Sequence, residues 1–97
     1  MASKRSATLY NLPLTSANTE YSQALPEDTK WFEFQCRTAA DVRFAFVTGL
    51  VAGSTEPYIT LKSGQSYDSG ELYTASKPTL FCASGSAGVV VEIIAWT

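Results

Sequence analysis

Nine Asp and Glu side chains and two cysteines are the groups here that acid–base or nucleophilic chemistry would use, and no histidine accompanies them. Without an imidazole there is no Ser-His or Cys-His nucleophile pair and no His-containing metal site. Cys36 and Cys82 lie far apart, at a spacing that matches no metal motif, and two thiolates cannot complete a four-cysteine zinc site. Three fates stay open for them. They are small buried hydrophobes kept reduced, or partners in a disulfide formed after release from the cell, or reactive thiols, with Arg37 the sole adjoining basic group. A glycosidase-type pair needs two carboxyls at a set separation. Glu33, Asp41, Glu56 and Asp68 lie nearest strands or turns, but no spacing selects two of them, and each reads as a solvated-face or turn residue. The run Ser63-Gly64-Gln65-Ser66 lacks the Gly-Lys-Ser/Thr of a phosphate loop. The expectation is a protein that is not an enzyme and that uses no cofactor or metal.

The elements that position these groups belong to a short chain. Its 97 residues make one domain with a small core. Charged residues are 16% of the total, below the usual ~25%, so Ser and Thr hydroxyls carry much of the polarity. The net charge is −2, and Lys4-Arg5 is the sole adjacent basic pair, which argues against a nucleic-acid partner. Apolar runs such as Phe44–Val47 and Ile93–Trp96 are too short to span a bilayer. No apolar stretch of signal-peptide length follows Lys4 and Arg5, so synthesis in the cytoplasm is expected.

No helical stripe survives beyond two turns, whereas period-two segments recur between turn residues. Ala7–Tyr10 reads as a first strand stopped by Asn11 and Pro13, and Glu20–Leu25 as a second, closed by Pro26-Glu27-Asp28. In Lys30–Arg37, Phe32, Phe34 and Cys36 alternate with Trp31, Glu33, Gln35 and Arg37. Val42–Thr48 follows, with Val42, Phe44 and Phe46 on its buried face. Leu50-Val51-Ala52 between two glycines reads as a bulge or connector. Pro57–Leu61 comes next, then Ser66–Asp68 with Glu71–Thr74 as one bent strand or two short ones. Thr79–Ala83, a flexible hairpin loop at Ser84–Gly88, and Val89–Trp96 complete the chain. Seven to eight short strands at this spacing predict an all-β fold, a single antiparallel β-sandwich over residues 19–97 behind a flexible N-terminal arm, 1–18.

The last strand carries more apolar residues than a half-exposed strand should. Val89, Val91, Ile93 and Ala95 form one face; Val90, Glu92, Ile94 and Trp96 form the other. Either loops cover the second face or it is a subunit interface. Trp31 poses the same choice between a lone surface aromatic and an interface anchor. Tyr10, Tyr21, Tyr58, Tyr67 and Tyr73 are sheet aromatics or the lining of a carbohydrate groove. The candidate interface residues on the strands are Tyr10, Trp31, Val90, Ile94 and Trp96.

Four segments, "NTEYSQALPEDTKWFEFQCR", "AADVRFAF", "PYITLKSGQSY" and "TLFCASGSAGVVVEIIAW", occur in that order from Asn18 to Trp96. Together they resemble small virion proteins of tailed bacteriophages, of the capsid cement or decoration type. The resemblance implies a jelly-roll-like sandwich on the outer capsid surface that bridges neighbouring subunits of the major capsid protein. It implies a homo-oligomer, a trimer by preference, made in the host cytoplasm and located in the virion. The arm would order on contact with a neighbour, with Lys4 and Arg5 meeting acidic coat residues, or else it is a frayed terminus. A low-copy tail or fibre-associated adaptor is the alternative.

Overall fold

A computed structural model describes residues 6–72 and 77–97. Eight strands run in the order β1 (Ala7–Leu14), β2 (Tyr21–Ala24), β3 (Trp31–Cys36), β4 (Val42–Ala45), β5 (Ile59–Leu61), β6 (Ser66–Asp68), β7 (Thr79–Ala83) and β8 (Val89–Trp96). They form two four-stranded antiparallel sheets: sheet A in the order β1-β8-β3-β6, and sheet B in the order β2-β7-β4-β5. The pairs β1–β8, β2–β7, β3–β6 and β4–β5 nest like the rungs of one long hairpin whose tip is the β4–β5 connection. Folding that hairpin over itself adds β3–β8 and β4–β7 and sends alternate rungs to opposite sheets. This is the topology of a jelly roll, as expected of the sandwich.

Period-two patterning builds the core between the sheets. Phe32 and Phe34 from β3, and Val89, Val91, Ile93 and Ala95 from β8, face Val42 and Phe44 of β4 and Leu80 and Cys82 of β7. Aromatic rings fill its middle: Phe34 meets Phe44 edge-on at 4.8 Å, and Tyr67 lies 4.9 Å from Phe44 and 5.3 Å from Phe34.

Four features differ from the sequence reading. The flexible arm over 1–18 is corrected first: Ala7–Leu14 is a full strand of sheet A, with Leu12 and Leu14 buried. Pro13 does not stop β1, because β1 is an edge strand. The Val90 carbonyl accepts from Arg37 N on β3, so Pro13, opposite Val90, turns its nitrogen to the free edge, where no N–H is needed. Second, β4 ends at Ala45, and Phe46 is exposed at the end of the sandwich.

Third, the Leu50–Ala52 connector carries a satellite core. Val51 is buried with Ala45 and Ala83 against Leu50, Tyr58 and Phe81, covering the outer face of sheet B. Fourth, Ser84–Gly88 is not a hairpin loop but a crossover between sheets. Ser84 is buried there, donating to the Asp41 carbonyl (2.8 Å) and accepting from Ser86 N (3.2 Å). The Lys4, Arg5 and Tyr73 readings, and the second half of the Glu71–Thr74 segment, lie outside the described residues.

Candidate interaction surface

Sheet A turns one face to the core and the other outward, and the strand register decides what meets there. Across β1, β8, β3 and β6, one outward row is Leu9, Ile94, Glu33 and Asp68. The next rows are Ala7, Trp96 and Trp31 on one side, and Asn11, Glu92, Gln35 and Ser66 on the other. Four sequence candidates therefore share one surface: Trp31, Val90, Ile94 and Trp96, all half-buried. Trp31 and Trp96 are direct register partners, with ring centroids 6.5 Å apart and tilted by 34°. The Trp31 Nε1–H is buried and has no hydrogen-bond acceptor among the described residues.

Tyr10 does not belong to this surface, which corrects its place among the candidates. It shares a face with Leu12 and Leu14, so its ring packs against the core. The residue missed is Leu9, 75% exposed on the outward face beside Ile94. Its signal was present: once Leu12 and Leu14 are assigned to the core, alternation sends Leu9 the other way.

Polar groups rim the apolar cluster. Arg37 Nε donates to Glu92 Oε2 (2.9 Å) and Gln35 Nε2 to Glu92 Oε1 (3.1 Å). These hydrogen bonds, Gln35's foremost, hold the Glu92 carboxyl below the usual glutamate range. Glu92 thus stays an ionised acceptor and is unsuited to act as a general acid. A shallow depression of about 400 Å³ runs between Leu9, Asn11, Glu33, Gln35, Ser66 and Ile94. Of the carboxylates raised as a glycosidase pair, Asp41 and Asp68 serve turns. Asp41 accepts from Ser63 N (2.8 Å) and pairs with Lys62 (3.6 Å), and Asp68 accepts from Gly70 N (2.8 Å). Among the described residues no three His, Cys, Asp or Glu side chains gather as a metal cluster.

Both thiols are free. Cys82 lies in the core, where burial pushes its pKa up to about 12, and half-buried Cys36 sits 3.8 Å from Thr38 Oγ1. The disulfide reading does not describe this structure, and the raised pKa leaves Cys82 an inert thiol.

No protein-family model matches the chain, and no curated protein matches it. Among solved structures, the chain is similar to a de novo designed double-stranded β-helix determined by solution NMR. The two share 17% identity with a TM-score of 0.52, over 98% of this chain and 100% of the other. That likeness concerns the fold alone, and agrees with the two-sheet topology: the described residues form an all-β antiparallel sandwich of eight strands.

Proposed function

We propose that this is a structural, protein-binding domain. The outer face of sheet A seats on another protein, and the assembly is a bacteriophage particle in which the chain cements or decorates the major capsid protein. The observation that carries the binding half is the cluster of Trp31, Trp96, Ile94 and Leu9 on one outward sheet face, with Val90 on the same face beyond the Glu92 row. A half-exposed sheet normally turns polar residues outward. Aromatic anchors beside aliphatic residues, rimmed by Glu33, Gln35, Arg37 and Glu92, have the make-up of an interface centre with a polar border. The capsid half rests on the resemblance of the Asn18–Trp96 segments to cement and decoration proteins. The jelly roll agrees with it without selecting it, since the same fold also builds lectin domains and cupins.

The test of the capsid half is the copy number of this chain in purified virions, by quantitative peptide mass spectrometry. Copies comparable to the coat protein are expected. A much lower number points to a tail or fibre-associated adaptor, and absence from the particle overturns the virion reading. For the face itself, Trp31→Ser with Ile94→Ser should abolish coat binding while the protein stays folded. Unchanged binding by that variant removes the face from the proposal.

A further inference from the structure

The two sheets present four strand edges, and they are not alike. The edge strands β2, β5 and β6 span four, three and three residues, whereas β1 spans eight. Short edges are one way in which sheets avoid pairing with other chains; lysines and other charges are another. β1 has neither protection: Ala7–Leu14 contains no charged residue, and exposed Leu9 stands near its middle.

The backbone of that edge can be read from the ladder. Trp96 and Val90 turn their carbonyls to Lys30 and Arg37 on the β3 side, while Thr97 exchanges both hydrogen bonds with Ser6. Alternation along β8 then directs Ala95, Ile93 and Val91 toward β1. Thr8, Tyr10 and Leu12 satisfy them, and the N–H and C=O groups of Ala7, Leu9 and Asn11 point away from the sheet. Pro13 continues the row with a carbonyl only.

We propose that this edge pairs antiparallel with β1 of a second copy, about a twofold axis at Leu9. In that register Leu9 opposes Leu9 of the other copy and Ala7 opposes Asn11, each exchanging an N–H···O pair, and Pro13 ends the ladder. Directly opposed residues share a face, so the row Ile94–Leu9 runs into its twofold mate as one apolar strip across both outer faces. On the other face Thr8 opposes Tyr10. The choice of a second copy follows from self-complementarity: the strand is uncharged, so like meets like without repulsion, and the outward donors and acceptors match under the twofold. The pairing does not depend on the capsid reading, and it differs from the trimer that the resemblance implies.

Sedimentation equilibrium across a concentration series under reducing conditions tests this. A reversible monomer–dimer equilibrium is expected. Leu9→Lys, at an exposed position, should weaken it at least about tenfold by setting two ammonium groups face to face, with the melting temperature unchanged at dilutions where both proteins are monomeric. A second variant keeps the test independent of that charge. In a Cys36→Ser background, Leu9→Cys should cross-link under mild oxidation, because directly opposed Cα atoms lie at ~5.5 Å, within disulfide reach. Thr8→Cys, offset from its own mate, should not. The proposal is overturned by a wild-type protein that stays monomeric or forms trimers, by a dimer indifferent to Leu9→Lys, or by equal cross-linking at both positions.

Discussion

Glu92 and Cys82 give this molecule pH dependences of opposite sign. Glu92 accepts hydrogen bonds from Gln35 and Arg37 that hold its carboxyl below the usual range. A depressed folded pKa favours the native state above the unfolded pKa, and that contribution is lost as pH falls through the folded value. Glu92→Gln should therefore lower the urea midpoint slightly at neutral pH, and the difference from wild type should vanish in acid. The effect is small because the pair is solvent-exposed and screened. Cys82 is the reverse case, raised from 9.0 to about 12 by burial. Its contribution is whole below the unfolded pKa and is lost as pH rises toward 12, so wild type should lose stability relative to Cys82→Ala across that alkaline window. Ellman's reagent at neutral pH should titrate Cys36 in the native protein and reach Cys82 only after unfolding.

Between strands, the β4–β5 connection is held down by two charged residues. Arg43 Nε donates to the Val51 carbonyl (2.7 Å) and its Nη2 to Asn18 Oδ1 (3.0 Å). Glu20 accepts from Thr48 Oγ1 (2.6 Å) and Gly49 N (2.9 Å). Together they press Val51 onto Ala45 and Ala83 and close the outer face of sheet B. Arg43→Met keeps most of the aliphatic stem but leaves the Val51 carbonyl without that donor. It should cost about 1–3 kcal/mol in urea unfolding and expose the Thr48–Thr55 segment to limited proteolysis. Sheet A has no such cover among the described residues, and this difference between the two outer faces is consistent with the proposal that sheet A is the side that seats on another protein.

For the molecule as a whole, the nested pairing β1–β8, β2–β7, β3–β6 makes most of the stabilising contacts long in sequence. Such topologies must close large loops before any contact rewards them, so refolding followed by tryptophan fluorescence should take milliseconds to seconds. The core is one aromatic-centred unit. Phe34→Ala, which removes a ring touching Phe44 and Tyr67, should cost about 3–5 kcal/mol. Trp31→Ser, on the outward face, should cost less in the free protein and more in the assembly. A scan in which the two are equally destabilising would show Trp31 to be a core residue instead of an anchor.

Strand identity, the Phe32–Phe34 core face and the outward grouping of Val90, Ile94 and Trp96 were legible along the chain, because side-chain direction in a strand follows a local two-residue period. The turn at Pro26-Glu27-Asp28 was legible for an equally local reason: Asp tolerates the positive φ of 60° that Asp28 adopts there. The length of β1 was not, because Pro13 breaks a ladder only where its nitrogen faces a partner, and which side of β1 lies open depends on β8, at the other end of the chain. Tyr10 and Leu9 exchanged roles for the same cause, since the core-facing side of β1 is set by the sheet it joins. Likewise Leu50–Ala52 carries no period of its own, and became a core only when Arg43 and Glu20 drew it over sheet B. Local periodicity settles which residues share a face; the pairing of distant strands settles which face is buried, which edge is open, and so where another molecule can attach.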